Sequence, residues 1–293
     1  MIRERTVGRF ALMAAILSVP ATITAQPAKA PFPLWDGKET VAEYAKRAGL
    51  EPTLTLDLGD GVKLEMVLVP AGKLRMGCPD SDKSGNKVER PQHEVTLSTP
   101  FYMGKYEVTQ GQYRQVTGGV PGGHKGDDLP VHSFWLQDAQ RVFFAKVSKV
   151  TGKRVTLPSE AQWEWACRAG STTRYCCGDE DAGLDKVAWL VRNSDNKVHQ
   201  VGQKAPNAWG LYDMHGNVME FCRGVYYPYA AGPAIDEVGT SPREGDAVLR
   251  GGCFCFPAYW ARSSSRFKAM TYRGYEFGGI RVIVEVEALA KGG

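Results

Sequence analysis

The chain has 293 residues, 43% of them hydrophobic and 23% charged, with a formal net charge of +4. That length and apolar content suffice for a full core in one large domain and exclude an intrinsically disordered chain. Lys and Arg are scattered rather than gathered on one periodic face, which excludes a nucleic acid as the main partner.

Arg3, Arg5 and Arg9, the apolar run from Phe10 to Val19 and small residues ending at Ala25 read as a secretory signal peptide over residues 1–25. The run is too short to span a bilayer, so the mature chain is expected to be secreted or periplasmic without a transmembrane span; a retained N-terminal anchor is the competing reading. Cleavage removes three Arg and one Glu and leaves a formal charge of +2. Residues 26–61 then read as a Pro- and Ala-rich linker, a short helix and the first strand of a hairpin. Thr40 and Glu43 form a capping-box signature opening the helix, which runs through Ala48 and stops at Gly49. Leu54, Leu56 and Leu58 alternate before Gly59-Asp60-Gly61, and Val62, Leu64, Met66 and Leu68 alternate after it, as in a hairpin.

The main domain is expected over residues 62–286. Leu136, Ala139, Phe143, Val147 and Val150 recur at helical spacing up to Gly152, and Ser159 with Gln162 opens a second helix carrying Trp163, Trp165 and Ala166. Beyond Gly170 only short strand signals remain, such as Ala247 to Leu249 and Ile280 to Val284. So much irregular chain needs metal, disulfides or buried aromatics to fix it. All seven cysteines, Cys78, Cys167, Cys176, Cys177, Cys222, Cys253 and Cys255, fall in the mature chain. An odd count in an exported protein leaves at least one thiol unpaired within the chain.

Three ordered blocks carry a resemblance: Leu157 through Gly170 (LPSEAQWEWACRAG), Pro206 through Val218 (PNAWGLYDMHGNV), and Arg250-Gly251-Gly252. With Met66 through Gly72 and Phe101 through Gln110, they make the chain similar to the formylglycine-generating enzyme, or sulfatase-modifying factor, family. The resemblance implies an α+β, C-type-lectin-like fold poor in regular structure and often calcium-stabilised. It also implies a protein client: the characterised enzymes oxidise a sulfatase cysteine to formylglycine with copper and oxygen.

For calcium, the resemblance implies the Asp213 side chain, the Gly216 and Val218 carbonyls and the Glu220 side chain, an all-oxygen set suited to a hard cation. A solvated turn is the alternative, and a second ion near Asn193 and Asp195 is a weaker expectation. His215 and Asn217 read as locally hydrogen-bonded.

For copper, the resemblance implies cysteines at the fourth and ninth positions after the second Gly of Arg-Gly-Gly. Here those positions are Phe256 and Ala261, or Ala258 for the second when counted back from Arg262. Soft sulfur stands nearby instead, with Cys253 in place of a Ser and Met219 in place of a Trp. Cys253 and Cys255 with Met219 are therefore candidates for a relocated copper site. Against it, side chains two apart on a flat strand lie about 6–7 Å from each other. The alternative makes the two cysteines core thiols or disulfide partners of Cys222 or Cys78. Asp246, Arg250, Arg262, Arg266 and Arg281 are expected to be solvated or salt-bridged at the surface. Two functions follow: a binding or accessory module for a protein or peptide client, with Tyr226, Tyr227, Tyr229, Phe254 and Trp260 as candidate groove residues, or a copper-dependent oxidase acting on a sulfatase.

Overall fold

The computed structural model describes residues 32–287 apart from His124 and residues 240–245. The expected signal peptide, most of the linker and any N-terminal anchor lie outside the described residues. Among the described residues, no helix is long and apolar enough to cross a membrane.

Local signals place the first elements. Thr40 and Glu43 bond reciprocally to open the Val41–Ala48 helix, and Gly49 ends it in the left-handed conformation. Strands Thr53–Asp57 and Lys63–Val69 pair antiparallel with Leu54 opposite Met66 and Leu56 opposite Leu64. A five-stranded sheet grows from this hairpin by adding Phe101–Gly104, then Ile283–Glu285, then Val155–Thr156. The near-C-terminal strand thus lies inside the sheet, which closes the domain on itself.

The helix expected around Val147 runs as Leu136–Asp138, a π-helical stretch Ala139–Phe144 and Ala145–Thr151. Phe143 and Phe144 are both buried there. Ser159 and Gln162 cap the Glu160–Arg168 helix as expected. Its Trp163 and Trp165 enter a core shared with Phe101, Met103 and Ile283.

A four-stranded sheet has the order Phe267–Met270, Asp246–Arg250, Met219–Cys222, Gly278–Gly279, and Arg250 of the last family block ends its second strand. A three-stranded sheet (Ala234–Ile235, His93–Leu97, Gly72–Met76) and the parallel pair Ala188–Trp189 with His215–Gly216 supply the remaining paired strands among the described residues.

Two expectations change here. All seven cysteines are free thiols, so neither Cys253 nor Cys255 is disulfide-bonded to Cys222 or Cys78. The four arginines expected at the surface are buried, with Arg250 and Arg281 fully inaccessible. Each meets a buried Glu. Arg262 holds Glu89 through two 2.7 Å bonds, Arg266 holds Glu160 at 2.6 and 2.8 Å, Arg281 holds Glu220 at 2.6 Å, and Arg250 bonds to Glu164. A charge this deep survives only with a partner, and these pairs tie the irregular second half to the helices and sheets. Asp246, by contrast, makes the expected partly exposed pair with Lys268 at 2.8 Å.

Candidate functional site

The stretch after Arg250 does not continue as a strand. Gly251 and Gly252 take φ values of +96° and +74°. A side chain on Gly252 would press within 2.9 Å of the Ala261 backbone. Glycine alone fits this left-handed, crowded corner, and the chain turns there. The turn is fixed on several sides: Phe254 N–H donates to the Asn217 carbonyl at 2.8 Å, Phe256 N–H to the Cys253 carbonyl at 3.1 Å, Val191 N–H to the Phe256 carbonyl at 3.2 Å, and Ser194 Oγ to the Phe254 carbonyl at 2.7 Å.

The turn brings Cys253 Sγ and Cys255 Sγ to 3.2 Å, overturning the separation expected for a flat strand. Cys253 is fully buried, and burial pushes its thiol well above the usual range. Cys255 is half-buried. Met219 lies buried in the same apolar cluster, its backbone N–H donating to the Phe277 carbonyl at 2.7 Å.

Packed against the same core as Cys255 are six half-buried aromatic rings, Phe254, Phe256, Trp260, Phe267, Tyr275 and Phe277. Phe256 sits 5.0 Å from Phe277 and 6.0 Å from Trp260, ring centre to ring centre, and Phe267 lies 5.7 Å from both Trp260 and Phe277. These tilted and edge-to-face arrangements suit the ring quadrupoles. The expected groove divides accordingly. Phe254 and Trp260 belong to this patch, whereas Tyr226 and Tyr229 pack over the Arg266 guanidinium at 4.5 and 4.1 Å, and Tyr227 bonds to Glu237. Sequence reasoning missed Phe267, Tyr275 and Phe277, which approach only when the Phe267–Met270 strand and the turn before Gly278–Gly279 fold back onto Phe256.

The position expected to supply a second copper thiolate fails on either count: Ala258 and Ala261 are buried in an apolar cluster with Tyr175 and Leu184. The residues present do not fit the family's two-thiolate copper site.

The calcium residues form a second locus. Asp213 takes φ +56° and is buried; its Oδ2 accepts from Gly202 N–H at 2.7 Å, while its buried Oδ1 has no hydrogen-bond partner. Glu220 lies close by in the chain but is committed elsewhere, with both oxygens on Arg281 and one accepting from the Trp163 indole at 2.7 Å. Glu107, not singled out from the sequence, accepts from Val218 N–H at 3.0 Å and Asn217 Nδ2 at 2.6 Å. Burial, then the Asp213 and Glu220 charges, hold the Glu107 carboxyl well above its ordinary range. Asp213 therefore fits a cation, and Glu220 as oriented does not complete its shell. Asn193 spends its amide on Leu190, Asp185 and Ala188. His215 is hydrogen-bonded by partners distant in the chain instead of locally, to the Ala261 carbonyl at 2.7 Å and from Cys176 N–H at 3.1 Å.

A cleft of about 690 Å³ is lined by other residues, including Phe101, Arg154, Ser159, Arg223 and Glu285. Glu285 there is engaged by Arg223 at 2.8 Å and by Arg154 at 3.7 Å.

Residues 60–286 match the Sulfatase-modifying factor enzyme 1-like domain. Among similar proteins, "Chaperone protein LppX" of Paenibacillus barcinonensis is 29% identical over 208 residues, covering 54% of this chain and 70% of the relative. The "Formylglycine-generating enzyme" of Thermomonospora curvata is 26% identical over 259 residues, covering 67% and 85%. The chain also matches "Serine/threonine-protein kinase pkn1" of Chlamydia caviae at 32% identity over 65% of its own length, but spans only 33% of that kinase. The solved structure of PvdO from Pseudomonas aeruginosa superposes with a TM-score of 0.72 at 30% identity, covering 80% of this chain and 99% of PvdO.

Proposed function

The chain belongs to the sulfatase-modifying factor, or formylglycine-generating enzyme, family, and from that premise we propose that it is a non-classical member that recognises a protein or peptide client instead of oxidising it. The observation that carries this reading is the replacement at the chemical centre. Where the enzymes keep two thiolates, this chain has Phe256, inside a patch of half-buried aromatic rings, and a buried alanine. Aromatic rings give large contact area at little conformational cost, so such a patch suits apolar side chains of an extended peptide. A relative named as a chaperone is compatible with an accessory role. The proposal includes export through residues 1–25 and a structural calcium at Asp213.

Copper-dependent oxidation is the competing reading. It has only the Cys253 and Cys255 contact in its favour. The decisive experiment incubates the mature protein in air, with copper, with a sulfatase-type Cys-x-Pro-x-Arg peptide and follows the peptide by mass spectrometry, while a tiled peptide library is screened for binding. The expected outcome is an unmodified cysteine together with library binding that Trp260→Ala weakens by about 2 kcal/mol, about thirtyfold in Kd. Formylglycine formation that disappears in Cys253→Ala would overturn the binding reading.

A further inference from the structure

The Cys253 and Cys255 pair has features that client recognition alone does not require. Two sulfurs 3.2 Å apart lie only about an ångström beyond disulfide bonding distance, within the reach of side-chain rotation. The turn that presents them is held by one hydrogen bond within itself and three to two other segments, at Asn217 and at Val191 and Ser194, so their proximity is built into the fold. The two thiols also differ in access: Cys253 is fully buried and Cys255 half-buried. Exchange chemistry needs that asymmetry, with one sulfur that meets the substrate and one behind it that resolves the adduct.

We propose that Cys253 and Cys255 form a thiol–disulfide exchange site whose substrate is a disulfide carried by a peptide. Cys255, as thiolate, attacks one sulfur of the substrate disulfide. The substrate S–S bond breaks, a Cys255–substrate mixed disulfide forms, and the leaving sulfur takes a proton from solvent. Cys253 then gives its proton to solvent and attacks Cys255 Sγ. The mixed disulfide breaks, the second substrate sulfur leaves and is protonated, and a Cys253–Cys255 disulfide remains. Two electrons pass from the protein dithiol to the substrate, which ends as two thiols. The order of attack follows from access, since the half-buried Cys255 meets the substrate first, and burial raises the Cys253 thiol in keeping with that order.

The test uses oxidised glutathione, which carries no aromatic ring, so it reads the thiols independently of client recognition. The full mature protein, fully reduced, is exposed to oxidised glutathione, quenched by acid alkylation and peptide-mapped. The expected result is a loss of two free thiols per chain, mapped to a Cys253–Cys255 disulfide, with release of two glutathione thiols. Cys253→Ala should accumulate a stable glutathione adduct on Cys255, whereas Cys255→Ala should leave Cys253 unmodified. The exposed Cys177 is an internal comparison that should react more slowly than Cys255. Should Cys253→Ala fail to fold, the wild-type map and the half-buried Cys255→Ala still decide the question. The proposal is overturned if both thiols stay free while Cys177 is modified, or if Cys253 reacts equally well without Cys255. Tight Cu(I) uptake that blocks alkylation of both thiols would overturn it in favour of a metal site.

Discussion

At Asp213, one buried carboxylate oxygen lacks a partner while the other accepts from Gly202. Burial without a partner costs about 1–3 kcal/mol for an ordinary polar group and more for a charge, so something is expected to offset it. Its charged neighbours are the acids Glu107 and Glu220 and the cations Arg281 and Lys204, and Arg281 is already paired with Glu220. A calcium ion against Oδ1 would supply the missing contact and the missing charge. Calcium at a hundredfold excess over its Kd should therefore stabilise the fold by about 2.7 kcal/mol. Asp213→Asn should abolish that increment while leaving the protein folded. Thermal unfolding with calcium and with a chelator measures both; equal midpoints for wild type in the two conditions would remove calcium from Asp213.

At the scale of elements, His93 opens the strand His93–Leu97, and Glu237 follows the Ala234–Ile235 strand paired with it. The Nδ1 of His93 faces the Pro91 carbonyl at 3.1 Å and Nε2 faces the Glu237 carboxylate at 3.2 Å. Two acceptors call for two donors, so the ring is held as imidazolium, raised above its usual 6.5 chiefly by Glu237. Glu237 is in turn held below its usual 4.5, chiefly by His93. The His contribution is present below pH 6.5 and lost as pH rises through the raised value; the Glu contribution is present above 4.5 and lost on acidification. A charge-assisted bond worth about 1.5 kcal/mol should thus separate wild type from Glu237→Gln near pH 6. That gap should close by about pH 9 in thermal unfolding; the same gap at both pH values would show that the charge on His93 contributes nothing. Elements were readable in the sequence where a local code fixes them. Thr40 with Glu43 and Ser159 with Gln162 mark their helices, and Thr109 with Gln112 opens the Gln110–Thr117 helix by the same code. The cysteine turn was misread as a strand because its geometry depends on Ala261 crowding Gly252 from nine residues away. The aromatic patch is only half legible for a related reason, since Phe267 and Phe277 reach Phe256, and Tyr275 reaches those two rings, only through tertiary folding.

For the whole molecule, the sequence suggested a boundary at residue 62, and the family match begins at residue 60. Both cut through a hairpin. Strand Thr53–Asp57 pairs along its full length with Lys63–Val69, and Leu56 and Leu58 are buried in the main core. The preceding helix sends Tyr44 fully inside, where its hydroxyl donates to Pro33 and accepts from Ala71 N–H. Trp35 N–H bonds the Ala71 carbonyl at 2.7 Å, and its ring meets Trp165 and Trp209 edge-on at 5.8 and 5.4 Å. Periodicity shows that a helix and a strand exist here, but it cannot show which core receives them. Burying Tyr44, Leu56 and Leu58 contributes about 5–9 kcal/mol at 1.5–3 per large side chain. That is comparable to the about 5–15 kcal/mol that holds a whole domain folded. A chain beginning at residue 60 should therefore show no cooperative heat-absorption peak in calorimetry, whereas one beginning at residue 32 should unfold in a single sharp transition. Cooperative unfolding of the shorter chain would mean that residues 32–59 pack onto a domain already complete without them.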